Sequence, residues 1–456
     1  MSPSAQTTTI ANGVTNGKQI FKKTTPKYTS EDVMSMETEY GAHNYHPLPV
    51  VFDRAKGAKI WDPEGVEYID MLSAYSAVNQ GHCHPKILQT LVTQAQTLTL
   101  SSRAFYNSAF APFAQHITNL FSYDMVLPMN TGAEAVESAI KLARRWGYGT
   151  KGIPANQAIV LSAEANFHGR TVGIISMSTD PDAREGFGPY LEGVGCEYMD
   201  GGRKRRVRYG VIEDLERALE LYGERVAGFL VEPIQGEAGV VIPPPGYLTE
   251  VASLCKKHNV LFICDEIQTG LGRTGKMLAC QWENVKPDVI LLGKALSGGV
   301  YPISALLASR SVMLSFTPGS HGSTYGGNPL ACAVATTALN VIIEEDLCAR
   351  SLKLGELFRS LVSALQSKHP RIKEVRGRGL FNAVVIEERE GRGAWEMCLL
   401  MKRRGVLAKP THGDTIRFSP PLVIEEEDLR KAVEVIDVCL EELESVEDDV
   451  LKRLDP

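Results

Sequence analysis

No apolar stretch in this 456-residue chain reaches the roughly 18 to 20 residues that a membrane-spanning helix needs. The first thirty residues, MSPSAQTTTIANGVTNGKQIFKKTTPKYTS, have no apolar core of the kind a secretory signal carries. Arginine is missing there too, the first being Arg54. A mitochondrial presequence draws on arginine and serine in an amphipathic basic helix, and none is evident. Residues 1–38 are therefore expected to be a disordered polar tail on a cytoplasmic protein. Charge of one sign is also lacking. With 48 Lys and Arg against 54 Asp and Glu, the net charge is only −6, which does not point to nucleic acid or a membrane surface. Nine cysteines are present, but no two are spaced C-x-x-C. An odd number in a long chain, mostly within apolar text, reads as reduced, buried thiols in a reducing compartment. His82-Cys83-His84 lacks a second ligand pair and runs into Pro85, so it reads as a structural turn, and no metal is expected. The basic cluster Arg203–Arg206 reads as a solvated loop.

What is present is ample material for a large core: 44% of residues are hydrophobic and 22% charged. The length suggests roughly two or three domains. Ala58 to Ser73 reads as a hairpin around the turn Asp62-Pro63-Glu64-Gly65. From about Met125 to Val312, short apolar runs alternate with helical text. The runs are Ala158–Leu161, Val226–Val231, Val260–Cys264 and Val289–Leu292, and Asp214–Tyr222 and Thr249–His258 read as helices between them. Fully apolar strands separated by helices argue for a mostly parallel sheet covered on both faces. Toward the C-terminus, Thr415–Phe418 reads as a strand. Leu429, Val433, Ile436, Leu440 and Leu443 step along one face of a helix with an acidic first turn. A smaller α+β domain is expected there, packed with the N-terminal hairpin.

Ligands of parallel sheets bind beyond the carboxyl ends of the strands. Three runs deliver Glu232, Asp265 and Lys294, and the first leads to Asn166-Phe-His-Gly-Arg170. Lys294 lies between VILLG and ALSGG. Apolar surroundings disfavour the ammonium form, and a neutral amine can form a Schiff base; a strand-end lysine reaching back to water is the plainer alternative. An aspartate on another strand end of the same sheet suits the pyridine nitrogen of pyridoxal phosphate, although Asp265 also fits a helix or turn cap. Thr131, Gly132 and Ala133 precede a helix running to about Trp146, and helix starts bind phosphate; a plain cap is the alternative. The segment CDEIQTGLGRTGK, residues 264–276, mimics two phosphate-binding loops. The P-loop pattern fails because Met277 stands where Ser or Thr is required. The dinucleotide pattern fails because five residues separate it from its strand.

These residues lie in text that resembles a known family. LFICDEIQTGLGRTGK and PDVILLGKALSGG resemble the signature of class-III pyridoxal-phosphate aminotransferases. HNYHPLPV, SAYSAVNQGHCHPK, LSSRAFYN, MNTGAEAVESAIKLAR, NFHGRT, VEPIQGEAGV, HGSTYGGNPL and LAKPTHGDTIRFSPPL are similar to the ornithine-specific branch. The likeness covers about residues 40 to 443. It implies an α/β fold-type I aminotransferase and a homodimer with shared active sites. Residues 85–345 would form the large domain, with a mostly parallel seven-stranded sheet. Residues 346–456 would form the smaller α+β domain, and residues 39–84 would pack against it. Pyridoxal 5'-phosphate would be held by Lys294, by Asp265 at the pyridine nitrogen and by Gln268 near the phenolic oxygen. Phe167 would stack on its ring, Thr131, Gly132 and Ala133 would take its phosphate, and Ser323 and Thr324 would reach that phosphate from the partner. Lys294 would also be the base. Arg170 would take ornithine's α-carboxylate and Tyr45 its α-amino group, with Tyr75 lining the pocket. Glu237 would mask Arg417 until 2-oxoglutarate arrives. The implied reaction moves ornithine's δ-amino group to 2-oxoglutarate; an acetylornithine or 4-aminobutyrate enzyme is the alternative. The segment Gly201–Gly210 departs from the family, being longer and more basic.

Overall fold

The computed structural model describes residues 28–455. Its centre is a seven-stranded sheet in the order Met125–Met129, Ser304–Ala308, Val289–Leu292, Leu261–Asp265, Val226–Val231, Ile159–Ser162, Val194–Gly195. All strands run parallel except Ser304–Ala308, which is antiparallel to both neighbours. The four apolar runs form its middle. The other three strands carry weaker signals. Pro128 sits in Met125–Met129, which is tolerated because that strand is an edge.

Side chains along each central strand alternate between two cores, as a period of two requires. Leu261 and Ile263 pack with Val136, Ala139, Ile140 and Ala143 of the helix Gly132–Trp146. Phe262 and Cys264 point the other way, into a core shared with the helices Phe110–Phe121, Tyr247–Lys257 and Pro329–Glu344. With both faces covered, the strands have no polar face, and every residue of Val226–Val231 is buried.

The N-terminal hairpin forms as its turn chemistry predicts. Lys59–Trp61 pairs with Glu67–Asp70, the Asp62 carboxylate accepts from Val66 N–H at 2.8 Å, and Gly65 supplies a φ of +87°. Val406–Leu407 joins it in parallel at Ile69 and Asp70, which ties the hairpin to the C-terminal region. That region holds an antiparallel sheet of Ile372–Arg378, Phe381–Ile386, Thr415–Phe418 and Lys409–Thr411. The helix Glu426–Leu443 buries Leu429, Val433, Ile436, Leu440 and Leu443.

Three expectations change. Residues 1–27 lie outside the described residues, but the expected disordered tail is wrong for its last part, because Ser30–Tyr40 is a helix. Thr29 and Asp32 cap it reciprocally, with Asp32 N–H donating to Thr29 Oγ1 at 3.1 Å and Thr29 N–H to Asp32 Oδ2 at 2.9 Å. The basic cluster is not a loop. Arg203–Arg206 pairs with Glu197–Asp200 across Gly201 and Gly202, whose φ of +56° and +78° suit a tight hairpin turn. Two of its charges are matched on the spot, Lys204 by Glu197 and Arg206 by Glu164, and Arg208 beyond it pairs with Asp214. Finally, Cys83 is exposed and Cys348 half-buried, while the other seven cysteines are buried; all nine are free. His82 and His84 turn to different carboxylates, Asp70 at 2.7 Å and Glu345 at 3.0 Å, which fits a turn. Among the described residues no helix is long and apolar enough to cross a membrane.

Glycine at position 355 is a packing requirement. A Cβ there, on the helix Leu347–Leu365, would stand 1.7 Å from the carbonyl oxygen of Gly379. Gly355→Ala should therefore cost about 1–3 kcal/mol or more. A thermal midpoint equal to that of the native chain would refute this contact.

Candidate active site

Three neighbouring strands end on one rim. Val226–Val231 leads into Glu232, Leu261–Asp265 ends in Asp265, and Val289–Leu292 leads through Gly293 to Lys294. All three side chains line a cavity of about 210 Å³, together with Gly132, Ala133, Phe167, His168, Gly169, Ile267 and Gln268. Lys294 adopts a φ of +43°, a left-handed conformation that a residue with a side chain reaches only under constraint. Burial pushes its ammonium pKa below the usual lysine value; the carboxylates of Glu237 and Asp265 pull the other way without prevailing.

Asp265 is held from two sides. Its Oδ1 accepts from Ile267 N–H at 3.1 Å, the turn-cap role, and its Oδ2 lies 2.7 Å from His168 Nδ1. His168 is buried, and its Nε2 has no partner among the described residues. No local sequence signal gives this histidine a role, nor Glu232, whose position at a strand end is all the sequence shows. Its two oxygens accept from Phe167 N–H at 3.0 Å and Gly236 N–H at 3.1 Å, so one carboxyl holds both the Phe167 wall and the start of the Gly236-Glu237 loop. Burial pushes its pKa up to about 7, opposed by His168 and the two N–H donors and reinforced by Asp265.

At the helix start, Thr131 is a cap. Its Oγ1 accepts from Glu134 N–H at 3.2 Å, and its own N–H donates to Glu134 Oε2 at 2.7 Å. The next two donors, on Gly132 and Ala133, belong to residues that line the cavity, whereas Thr131 does not. A Cβ at Gly132 would press on Ile267 at 3.2 Å, so the backbone approaches closely only because this residue is glycine. Ser323 is near, accepting from Asn130 Nδ2 at 3.1 Å, but neither it nor exposed Thr324 lines the cavity of its own chain.

On the substrate side, Arg417 is buried and donates through Nη1 to Glu237 Oε1 at 2.7 Å. Its Nε, also buried, has no partner among the described residues. Burial opposes ionisation of Glu237, but Arg417, Lys294 and Gln268 outweigh it and hold the carboxyl below the usual range. The Arg417 guanidinium sits 4.7 Å over the Tyr75 ring, and Gln268 Nε2 donates to Tyr75 O at 3.4 Å. Arg170 is exposed, on the rim, whereas Tyr45, though exposed, is near enough to Tyr75 to act on its hydroxyl electrostatically, alongside Arg417 and Glu237. Arg170 stands 5.7 Å from the Phe167 ring centre. Tyr45 is 73% exposed, and its neighbour His46 stacks on Trp395 at 4.5 Å.

The glycine segment that mimics phosphate loops does not face a cavity of this kind. Gly272 and Gly275 thread against Leu422 and Leu352, and Lys276 lies over Trp282 at 4.9 Å. One acid–histidine cluster among the described residues is close enough to hold a metal, His369 with Asp437 and Glu441. Lys368 already pairs with both carboxylates, at 3.0 and 2.6 Å, so it is a surface ion-pair network. The cavity itself fits pyridoxal phosphate. It offers a desolvated lysine, a carboxylate on the next strand, an aromatic wall and two helix-start N–H donors.

Residues 40–440 match the aminotransferase class-III family. The Schizosaccharomyces pombe protein named ornithine aminotransferase car2 is 63% identical over 422 residues, covering 92% of this chain and 95% of its own. The crystal structure of the ornithine aminotransferase from Toxoplasma gondii superposes with a TM-score of 0.87 at 45% identity, covering 92% and 97%. An acetylornithine aminotransferase from Elizabethkingia anophelis superposes at 0.82 with 50% identity, covering 91% and 100%.

The raised pKa of Glu232 carries a signed consequence. Between the ordinary glutamate value of 4.5 and about 7, the folded chain holds a proton that the unfolded chain has released. The resulting stabilisation is full below 4.5 and is lost as pH rises through 7. Glu232→Gln in cofactor-free protein should therefore gain on the order of 3 kcal/mol relative to the native chain between pH 4.5 and 8. Denaturant unfolding at the two pH values measures this, and a difference that does not move with pH would remove the argument.

Proposed function

The chain belongs to the class-III aminotransferase family, and from that premise we propose that it is an L-ornithine:2-oxoglutarate 5-aminotransferase. Ornithine's terminal amino group passes to 2-oxoglutarate, giving glutamate and glutamate 5-semialdehyde, which loses water as it cyclises to pyrroline-5-carboxylate. The observation that carries this reading is the buried pair between Glu237 and Arg417. Pyridoxal 5'-phosphate, when bound, supplies a carbonyl that exchanges amino groups and a ring that withdraws electrons from the carbon losing its proton.

The chain's own residues do the rest. Lys294, desolvated and shifted toward its neutral form, would take the proton from the carbon bearing the reacting amine and deliver it to the carbon that receives the amino group. Asp265, oriented by His168, would keep a positive charge on the pyridine nitrogen, and Gln268 would approach the phenolic oxygen. Phe167 would cover the ring face, and Gly132 and Ala133 would hold the phosphate through N–H groups, with Thr131 shaping the helix start. In the proposed homodimer, Ser323 and Thr324 of one copy complete the phosphate site of the other. Phe105, Tyr106 and Tyr325, at 75%, 99% and 52% exposure, are large apolar groups that such an interface would cover. Light scattering that gives a single chain mass would count against it. The nine free cysteines support a reducing compartment, with the cytoplasm proposed; co-fractionation with mitochondria would count against that.

Ornithine has two amines, and only the terminal one should react. A carboxylate placed on Arg417 would bring an α-amine to the lysine. With Glu237 in that position, an incoming α-carboxylate meets a negative charge, while Arg417 avoids being buried unpaired. Arg170 then takes ornithine's α-carboxylate, Tyr45 its α-amino group, and Tyr75 lines the passage. For 2-oxoglutarate, Glu237 swings away, Arg417 grips the α-carboxylate using its free Nε, and Arg170 takes the γ-carboxylate.

The direct test compares turnover of ornithine, N-acetylornithine and 4-aminobutyrate. Ornithine should be preferred, because an acetylated amine gives Tyr45 no cation to contact; a preference for either of the others would overturn the assignment. Glu237→Ala should raise the reactivity of α-amines such as glutamate, relative to ornithine, by about tenfold or more. An unchanged ratio would remove the masking role.

A further inference from the structure

The segment Gly270–Gly275 carries one residue that the proposed mechanism does not use. Arg273 is fully buried. Among the described residues its two terminal nitrogens meet only neutral acceptors, and its Nε has no partner. Nη1 donates to Leu380 O at 2.9 Å and Pro420 O at 2.7 Å, and Nη2 donates to Ser73 Oγ at 3.0 Å and Asn79 Oδ1 at 2.6 Å. Burial pulls its pKa down to about 9, and Asp70 is the nearby carboxylate that opposes the shift. Burying a charge without a direct counter-ion is expensive, so this site needs a reason.

The reason lies at Ser73. Ser73, Ala74, Tyr75 and Ser76 all have positive φ, at 48°, 48°, 59° and 71°. A run of four non-glycine residues in the left-handed region persists only when its surroundings over-determine it. The restraints are visible. Asp70 Oδ1 accepts from the N–H groups of Leu72 and Ser73, both at 2.8 Å. Ser73 Oγ donates to Ser419 O at 2.6 Å, and Ser419 N–H donates to Met71 O at 2.7 Å. Arg273 grips Ser73 from behind while its other arm holds Pro420, three residues after Arg417. One guanidinium therefore spans the turn that presents Tyr75 and the segment that follows Arg417.

The glycines make this possible. Gly272 and Gly275 both sit at φ +88°, and a Cβ at either would press on Leu422 at 3.0 Å or Leu352 at 3.1 Å. The loop folds back tightly enough to bury the arginine, and Ser351 Oγ fastens its carbonyl at 2.8 Å.

We propose that Arg273 is a positioning residue for the substrate pocket, holding the left-handed turn Ser73–Ser76 against the Arg417 strand so that Tyr75 stays beneath the Arg417 guanidinium. The inference rests on the reading of Arg417 and Tyr75 as substrate-facing groups. It does not place Arg273 in contact with substrate or cofactor.

The test uses holoenzyme and steady-state kinetics with 2-oxoglutarate and the best amino donor. In Arg273→Lys a single ammonium replaces a fork and cannot serve acceptors on two sides. KM for 2-oxoglutarate should rise about tenfold or more, with kcat within about threefold and the visible cofactor band unchanged. Ser73→Ala removes one acceptor of the fork and should raise KM in the same direction by less. The double variant should be less than additive, because both changes remove the contact between Arg273 and Ser73 Oγ, although Ser73→Ala also removes the Ser73–Ser419 bond. Unchanged KM in Ser73→Ala overturns the proposal even if Arg273→Lys fails to fold. Additive effects in the double variant, or a fall in kcat with loss of the cofactor band at constant KM, overturn it as well. If the native enzyme does not turn over ornithine, the reading of its donor fails by itself, and the KM comparison for 2-oxoglutarate still decides the role of Arg273.

Discussion

Everything around the cavity follows from removing one lysine from water. Lys294 sits at the carboxyl end of a strand buried on both faces, where an ammonium is poorly solvated. Its neighbours are therefore charged groups with assigned partners. Asp265 is fixed by His168 and a backbone N–H, Glu232 by two backbone N–H groups, and Glu237 by Arg417. A low-dielectric floor strengthens each of these interactions and makes any unpaired group costly. The same floor moves the lysine toward the neutral base that the proposed chemistry needs and lifts Glu232 to about 7.

The two buried arginines solve the same problem in different ways. Arg417 has a carboxylate partner, Glu237, and its Nε has no partner among the described residues. Arg273 has four neutral acceptors drawn from three separate stretches of chain. The first arrangement is the one the proposed reaction would change, since a substrate carboxylate in the place of Glu237 would cost little electrostatically. The second cannot change in this way, because no mobile counter-ion is involved, and it holds the turn beneath Tyr75. A pocket that exchanges an internal carboxylate for an external one requires such a fixed frame.

Much of the fold was legible. Four apolar runs, a Pro-Glu-Gly turn and a helical periodicity are local signals, and the four runs became the middle strands of the sheet. The antiparallel Ser304–Ala308 and the Pro-containing edge Met125–Met129 were less legible, because strand direction and edge position are set by partners distant in the chain. Thr29 and Asp32 spell the cap of the helix Ser30–Tyr40, but a helix with no fully buried side chain offers only a weak apolar stripe to read. At the site, strand-end placement singled out Lys294 and Asp265. His168 was not identified, because nothing local to a histidine says that an aspartate 97 positions away will meet its ring.

The sequence by itself determined the strand cores, the chemistry available at their ends and the resemblance to a family, since these depend on residue type and short-range spacing. It could not say what the glycines of residues 270–275 were for. Read alone they imitate a phosphate cradle. Only the tertiary structure brings Ser73, Asn79, Leu380 and Pro420 around Arg273, and only there do the positive φ values at Gly272 and Gly275 acquire a purpose. The physical reason is that burying a charge is a property of everything that surrounds it, and the acceptors here come from three separate stretches of the chain.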